Sequence, residues 1–275
     1  MKSWYQDNQW FQQGLENQKT WYSNVADAYF QARPHYSTDV IHRVTQFAQL
    51  KKNARILEIG CGPGIATLPF AELGFEMVSL EPSLEACQLA RENCSEYPNV
   101  TVLDTTFEEW PGETKKFDAI LAATSFHWIS REKGYPKILN LLKDKGYLIL
   151  LWNTPPQVSY ETFQRLDPVY QTHAPSLARY DSRKTHEKNL KAFGEQIIDG
   201  RQFQELIFEP KVCQVTYSID QYLMLLTTLS PYIALEPKTR HSLLKALREV
   251  LEKNGENFLE LSYISAFHVA EKVAD

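Results

Sequence analysis

A buried strand followed at once by glycines at every second position is the feature of this chain that most constrains its fold. The strand is the apolar run 56–59, and the glycines are Gly60, Gly62 and Gly64. Residues 65–73 then have the spacing of a helix with one apolar face. A strand, a glycine turn and a helix in this order bring backbone N–H groups close to a ligand that no side chain obstructs. The pattern therefore predicts one ligand-binding βα unit of an α/β fold.

The spacing of the glycines separates the ligands that such turns bind. A phosphate-binding Walker loop has Lys and then Ser or Thr after its last glycine, whereas Ile65 follows Gly64 here. A dinucleotide-binding turn has the pattern Gly-x-Gly-x-x-Gly, and here the third glycine comes one residue early. The pattern Glu58-x-Gly60-x-Gly62-x-Gly64 instead resembles the first motif of the class I S-adenosylmethionine-dependent methyltransferases. The resemblance implies that Glu58, Gly60 and Gly62 bind the cofactor; a glycine turn without any ligand is the alternative.

A second strand ends in an acidic residue. Residues 76–81 form this strand, and Glu81 lies 21 residues after Gly60. In doubly wound folds a carboxylate at this position accepts hydrogen bonds from the ribose hydroxyls of a nucleoside. Pro82 and Ser83 then begin a helix, with Ser83 as its N-cap. We therefore predict that Glu81, Pro82 and Ser83 lie at the nucleoside end of the cofactor site.

The segment after the third strand departs from the family pattern. Residues 100–104 form that strand, and Thr106 and Phe107 follow it. Methyltransferases of this class often have an acidic residue where Thr106 stands, and that acid binds the adenine amino group. The resemblance therefore implies that adenine meets the backbone N–H of Phe107, while Thr106 offers a hydroxyl in place of a carboxylate.

Two further segments resemble the fourth and fifth strands of the same family. They are residues 117–129 and 146–153, and the resemblance implies that Ala123 contacts the cofactor. Five segments in this order predict S-adenosylmethionine binding. Pro69 lies inside the first predicted helix, and we expect it to kink that helix because proline removes a hydrogen bond.

The N-terminal segment carries the pattern Ala26-x-x-Tyr29-x-x-x-Arg33-Pro34-x-Tyr36. This pattern resembles a methyltransferase subgroup that includes the trans-aconitate-methyltransferase-like proteins (methyltransferase type 11). A guanidinium binds a carboxylate through two parallel hydrogen bonds, so Arg33 is the candidate for the methionine carboxylate of the cofactor. The ring face of Tyr29 is a candidate neighbour of the sulfonium cation. The alternatives are a solvated helix end for Arg33 and packing alone for Tyr29.

The candidate catalytic residue is His127. It follows the fourth strand in the sequence Phe126-His127-Trp128, which also suits the subgroup, and side chains at this position reach the methyl acceptor. The pKa range of histidine suits a general base. The alternative is that His127 only orders the pocket through a backbone hydrogen bond. A carboxylate acceptor would need no base, because the sulfonium methyl group is already activated.

Composition limits the partners of the chain. The net charge is −5 and the pI is near 5.9, whereas a general nucleic-acid binder needs a basic face. No apolar run reaches the length of a membrane span. The four cysteines lack the spacing of metal ligands, which favours reduced thiols in a cytoplasmic protein and predicts no metal site. We expect a small-molecule substrate, with no nucleic acid and no membrane as partner.

The order of the patterns predicts an α/β fold: a Rossmann-like, doubly wound seven-stranded sheet with a helical insertion after strand five. Residues 1–36 are predicted as an N-terminal arm and lid, 37–153 as the cofactor-binding core, 154–203 as a helical cap insertion and 204–275 as the C-terminal completion of the sheet, with its last strand at 259–263. The predicted activity is S-adenosylmethionine-dependent O-methylation of a small acidic or polar molecule. The alternatives are a dinucleotide-dependent oxidoreductase and a non-catalytic S-adenosylmethionine-binding module.

Overall fold

The computed structural model describes residues 23–112, 114, 116–198 and 201–274. The strands in this part of the chain are β1 (Arg55–Ile59), β2 (Glu76–Glu81), β3 (Val100–Asp104), β4 (Phe117–Ala123), β5 (Leu142–Asn153), β6 (Phe203–Ser218) and β7 (Phe258–Lys272). The α-helices are α1 (Ala26–Ala32), α2 (Thr38–Phe47), α3 (Thr67–Glu72), α4 (Leu84–Asn93), α5 (Arg131–Leu141), α6 (Tyr160–His173), α7 (Arg183–Ile198), α8 (Ile219–Thr227), α9 (Ser230–Ile233) and α10 (Pro237–Lys253). Short 3-10 turns lie at Phe126–Trp128 and Pro175–Leu177.

The seven strands form one sheet in the order β3-β2-β1-β4-β5-β7-β6. The pairs among β1 to β5 are parallel, and β7 is antiparallel to both β5 and β6. The strand order reverses between β1 and β4, and open α/β sheets bind ligands in the crevice that such a reversal opens at the carboxyl ends of the strands. The predicted seven-stranded, doubly wound sheet with a helical insertion after strand five is confirmed.

Helices cover both faces of the central strands. On one face, Phe117 and Trp152 pack with Ile138 of α5 and Leu190 of α7, and each of these side chains is at most 1% exposed. The cluster on the other face includes Val44, Phe70, Met77 and Phe267. Strands buried on both faces have nearly continuous apolar sequences. This is why β1 and β4 are easily recognised in the sequence.

A second apolar core lies beyond the carboxyl edge of the sheet. The strand β5 ends at Asn153, opposite Ser265, whereas β6 and β7 continue to pair as far as Ser218 and Phe258. Side chains of α6, α8, α9 and α10 pack on this two-stranded extension. The second core includes Leu166, Tyr170, Tyr217, Leu225, Tyr232, Leu247 and Leu261. The end of α1 joins it through Ala32, so this helix connects the second core to the rest of the molecule.

The segment predicted as a cap insertion divides between the two cores. Helix α6 packs on α10 in the second core, whereas α7 packs on β6 and β7 of the sheet. At Gly194 the helix α7 comes so close to β7 that an added Cβ would lie 2.1 Å from the His268 ring. The close approach of α7 therefore depends on a residue without a side chain.

Two elements differ from the sequence expectations. Helix α3 begins at Thr67, so Pro69 falls in its first turn, where the N–H group has no intrahelical partner and proline costs no hydrogen bond. The expected kink is therefore wrong. Strand β7 continues to Lys272, well past the predicted 259–263. Residues 264–270 are buried on both faces, and alternation of apolar and polar residues is lost there.

None of the helices in the described ranges is long and apolar enough to cross a membrane. Residues 1–22 of the predicted arm lie outside the described residues.

Candidate functional site

A cleft lies at the carboxyl edge of the sheet, beside the glycine turn. Its empty volume is about 1410 Å³, including space that is open to solvent. The predicted cofactor-binding residues that line it are Tyr29, Arg33, Gly60, Gly62, Glu81, Pro82, Ser83, Thr106, Phe107 and Ala123. The structure thus brings together every predicted cofactor-binding residue except Glu58, from segments far apart in the chain.

The glycine turn wraps around the end of β2. The N–H groups of Gly60 and Cys61 both donate to the carbonyl of Leu80, over 2.9 and 3.0 Å. Gly60 has a φ of +66°, and an added Cβ would lie 2.9 Å from Cβ of Ser125. Gly62 has a φ of +55°, with no atom within 4 Å of the position that a Cβ would take. The turn therefore needs glycine for its backbone conformation at both positions, and at Gly62 it leaves open space.

Glu81 connects the glycine turn to helix α4. Its Oε2 accepts the N–H of Gly62 and its Oε1 accepts the N–H of Ser83, each over 2.8 Å. The residue is 7% exposed. Burial raises the pKa of Glu81 to about 7, although the two backbone donors act in the opposite direction. A carboxylate held in this way is oriented by the fold and still lines the cleft.

Ser83 is the N-cap of α4, as predicted. Its Oγ accepts the N–H of Ala86 over 3.3 Å. The same hydroxyl lies 2.9 Å from the hydroxyl of Ser23, which precedes α1. Ser83 therefore links the start of α4 to the segment before α1.

The hydroxyl of Thr106 is engaged within its own loop. It donates to Oε2 of Glu109 over 3.0 Å and accepts the N–H of Glu109 over 3.1 Å. This arrangement caps a short turn in which the N–H of Trp110 donates to the carbonyl of Thr106 over 3.0 Å. Thr106 and Phe107 both line the cleft, but the Thr106 hydroxyl already bonds to Glu109 within the loop.

Glu58 is the predicted residue that does not line the cleft. It is fully buried beneath the glycine turn, where Oε2 accepts the hydroxyls of Thr67 (2.6 Å) and Ser79 (3.1 Å). Burial raises its pKa to about 7. Successive side chains of a strand point to opposite sides, and Ile59 lines the cleft. The adjacent Glu58 therefore points away from the cleft, in contrast to its predicted role in cofactor binding.

Helix α1 and the residue after it form one wall of the cleft. The guanidinium of Arg33 donates through Nε to Oγ1 of Thr228 and through Nη2 to the Thr228 carbonyl, both over 2.8 Å. It also stacks 4.8 Å from the ring centroid of Tyr29. Tyr217 fixes the same segment by donating its hydroxyl to the carbonyl of Ala32 over 2.5 Å. Arg33 is therefore anchored to the second core and is not a solvated helix end.

Sequence reasoning missed the site role of three polar residues that line the cleft: Tyr36, Thr124 and Asn153. The hydroxyl of Tyr36 lies 3.1 Å from Oγ1 of Thr124, and burial holds the pKa of Tyr36 far above its usual range. The amide Nδ2 of Asn153 donates to the Pro34 carbonyl over 2.8 Å. All four residues line the cleft. Tyr36 and Pro34 belong to the recognised N-terminal pattern, but only the folded chain shows that this pattern meets the ends of β4 and β5.

His127 is not among the described residues that line the cleft, although its neighbours Trp128 and Ile129 are. Its ring packs 4.7 Å from the ring of Trp128 and 6.1 Å from that of Trp152. Burial lowers its pKa to about 3. The geometry therefore does not support the predicted role of His127 as a general base, because the ring lies outside the wall and its proton affinity is low.

Among the residues that the structure describes, no group of three His, Cys, Asp or Glu side chains could hold a metal ion.

Comparison with known proteins gives a family match over strands β1 to β4 and the start of β5. Residues 56–146 match the family described as "Methyltransferase domain". An uncharacterised methyltransferase of Mycobacterium bovis is 29% identical over 133 residues, which are 48% of this chain and 52% of the relative. The chain thus spans about half the length of the curated relatives it matches first.

Two solved structures share the fold. A protein of Anaeromyxobacter dehalogenans, which bears the name of a type II methyltransferase, superposes with a TM-score of 0.66 at 19% identity, covering 88% of this chain and 99% of the other. A Haemonchus contortus phosphoethanolamine N-methyltransferase, in complex with S-adenosylhomocysteine, superposes with a TM-score of 0.52 at 17% identity, covering 91% and 57%.

The family match spans the glycine turn, Glu81 and Ala123, which are the residues that the cleft brings together. The residues present fit the cofactor of this family, since the cleft has open space at Gly62 and an oriented carboxylate at Glu81. The narrower trans-aconitate-like subgroup stays a prediction. Residues 56–146 therefore form a methyltransferase domain, and this match supports S-adenosylmethionine as the cofactor.

Proposed function

We propose that this protein transfers the methyl group of S-adenosylmethionine to an oxygen atom of a small acid, with a carboxylate as the accepting group. The observation that carries the proposal is the composition of the cleft wall. None of the described residues that line the cleft is His or Lys, and Arg33 is the cationic side chain among them. Such a wall offers neither an imidazole nor an amine as a base beside the acceptor, and a carboxylate acceptor needs none.

The nucleoside end of the cofactor belongs, in this proposal, to Glu81 and the loop after β3. Each Glu81 oxygen already accepts one backbone N–H, and a carboxylate oxygen has a further lone pair for a ribose hydroxyl. The hydroxyl of Thr106 is committed to Glu109. Adenine recognition is therefore assigned to the backbone N–H of Phe107 and to the apolar wall, with Ala123 at the end of β4.

The methionine end is assigned to Arg33 and the glycine turn. Thr228 holds Nε and one amino group of Arg33, which fixes the plane of the guanidinium for a carboxylate. The Arg33 side chain stacks on one face of Tyr29, so that face is not available to a sulfonium cation. Tyr29 is accordingly assigned to the support of Arg33.

The chemistry needs little from the protein beyond alignment. Bound S-adenosylmethionine supplies a methyl group that its sulfonium already activates. The protein has to hold an acceptor oxygen in line with that group and to exclude water. A carboxylate is ionised at neutral pH and needs no base. A hydroxyl or amine acceptor often requires one, and the low pKa and position of His127 argue against such an acceptor.

The proposal is tested by incubating the purified protein with methyl-labelled S-adenosylmethionine and a panel of small carboxylic acids, each paired with its alcohol or amide analogue. The expected product is a methyl ester, which mild base cleaves to labelled methanol. An Arg33→Met variant should lose most turnover, whereas Arg43→Met, at an arginine that pairs with Glu209 on the surface, should keep it.

Three outcomes would contradict the proposal. Transfer of the label to added bulk RNA or protein, with none to the small acids, would show a macromolecular acceptor. A base-stable methylated product would show an ether or an amine. Tight binding of S-adenosylhomocysteine without turnover on any acceptor would favour the non-catalytic binding module.

A further inference from the structure

The ammonium group of Lys137, on helix α5, is surrounded by backbone carbonyls of a single loop. Its Nζ donates to the carbonyls of Phe107 (2.6 Å) and Glu108 (3.3 Å) and to that of Trp110. It also lies 5.0 Å from the ring centroid of Phe107. The three partners are neutral carbonyls, so these hydrogen bonds serve the shape of the loop. Burial lowers the pKa of Lys137, and the nearby Glu108 carboxylate acts in the opposite direction.

The loop that Lys137 holds is a short capped turn. Its first residue, Thr106, accepts the N–H of Glu109 on its hydroxyl and the N–H of Trp110 on its carbonyl. The carbonyls of Phe107, Glu108 and Trp110 accept hydrogen bonds from the ammonium, as the last carbonyls of a helix do from a lysine near its C-terminus. In a trans peptide the C=O and the following N–H point in opposite directions. The N–H of Glu108 therefore points away from Lys137.

Helix α5 is packed closely against this region. An added Cβ at Gly134 would lie 2.1 Å from the Ile129 side chain and 3.9 Å from the Phe107 ring. Ile138 and Leu141 are 0% and 2% exposed. Residues 134, 137, 138 and 141 share one helix face, so the helix that carries the ammonium is itself fixed in the core.

We propose that Lys137 is a positioning residue of the cofactor site, which holds residues 106–110 in the conformation that presents Phe107 and Glu108 to the nucleoside end of the cleft. Both residues line the cleft, and Lys137 does not. Because the Thr106 hydroxyl is occupied, adenine recognition depends on the backbone of this loop. The inference rests on the assignment of the nucleoside end to this loop and is independent of the identity of the methyl acceptor.

The test compares Lys137→Met with Lys137→Arg, using calorimetry with S-adenosylhomocysteine. Lys137→Met should bind about tenfold more weakly or worse, which corresponds to about 1.4 kcal/mol. Lys137→Arg retains several donors and should stay within about threefold of the wild type. Lys143→Met is the matched control, because Lys143 pairs with Asp118 at the far end of β4, and it should bind as the wild type does. Once an acceptor is known, Lys137→Met should raise KM for S-adenosylmethionine with kcat at saturation unchanged.

Several results would overturn this inference. They are wild-type affinity in Lys137→Met, an equal loss in Lys137→Met and Lys137→Arg, or a loss in kcat without a change in KM. If Lys137→Met does not fold, Lys137→Gln replaces it and the same criteria apply. A wild-type protein that does not bind S-adenosylhomocysteine would instead refute the cofactor assignment, so the two failures are distinguishable.

Discussion

Replacing Glu81 with glutamine should weaken cofactor binding while making the ligand-free protein more stable at alkaline pH. The carboxylate accepts N–H groups from Gly62 and Ser83 and is nearly fully buried, with a pKa raised by that burial to about 7. Glutamine has almost the same shape but only one acceptor oxygen. It can therefore satisfy one of the two N–H groups, and it brings an NH₂ group to the position of the other oxygen.

The expected loss of affinity follows from hydrogen bonds to a charged group, which contribute about 1.5–3 kcal/mol each. Losing one of them for a ribose hydroxyl corresponds to a roughly tenfold to hundredfold weaker Kd for S-adenosylhomocysteine. Glu81→Ala should fall at the upper end of that range. Glu76→Gln is the matched control, because Glu76 lies at the opposite end of the same strand with its side chain 54% exposed.

Although Glu81→Gln weakens cofactor binding, it should increase the stability of the ligand-free protein. Between the ordinary pKa of 4.5 and the folded value of about 7, the unfolded chain has lost the Glu81 proton while the folded chain keeps it. Stability therefore falls as pH rises through this window, and the full cost above pH 7 is about 3 kcal/mol. Glutamine removes this cost but leaves one buried N–H without an acceptor, which costs about 2 kcal/mol, for a net gain of about 1 kcal/mol at pH 8.

Urea denaturation of both proteins between pH 4 and pH 8.5 measures the stability difference. The pKa of Glu58 is raised to about 7 as well, but its effect is present in both proteins and largely cancels in the difference.

Calorimetry over the same pH range measures the affinity of both proteins for S-adenosylhomocysteine. Wild-type binding should weaken as pH falls below 7, by as much as about thirtyfold at pH 5.5, whereas binding to the variant should be nearly independent of pH. A Glu81→Gln protein that binds within twofold of the wild type would remove Glu81 from the cofactor site. A stability difference that does not change with pH would refute the raised pKa.

Three further predictions concern other parts of the site. His127→Phe keeps an aromatic ring and removes the base, and turnover should stay within about threefold of the wild type; a loss of about a hundredfold, measured at saturating substrate, would restore His127 as the general base. Gly60→Ala should destabilise the protein by roughly 1–3 kcal/mol in urea denaturation and weaken cofactor binding. The reason is that alanine is strained at a φ of +66° and its Cβ would lie 2.9 Å from Cβ of Ser125. Wild-type stability would contradict the geometry of the turn. The predicted lid, residues 1–36 and 155–201, should gain protection from hydrogen exchange with S-adenosylhomocysteine, and protection confined to the glycine turn would reject it.

The sequence alone determined the features that depend on local backbone geometry. The glycine turn, the acid at the end of β2 and the Ser83 cap each need one residue type at one position, because a positive φ, a strand end and a helix N-terminus are local requirements. Apolar runs predicted β1 and β4 because these strands are buried on both faces. These features, together with the family resemblance that they carry, predict the doubly wound sheet and its cofactor.

Only the tertiary structure decided which side chains reach the cleft. Glu58 and His127 stand in the right sequence patterns, yet the packing of β1 and of the turn after β4 keeps both outside the wall. Arg33 meets Thr228 across 195 positions of the chain, and Lys137 meets the Phe107 carbonyl across 30. Such contacts depend on the placement of whole elements. A single sequence carries no signal for them, because an arginine or lysine in a helical pattern looks the same whether it faces solvent or a carbonyl.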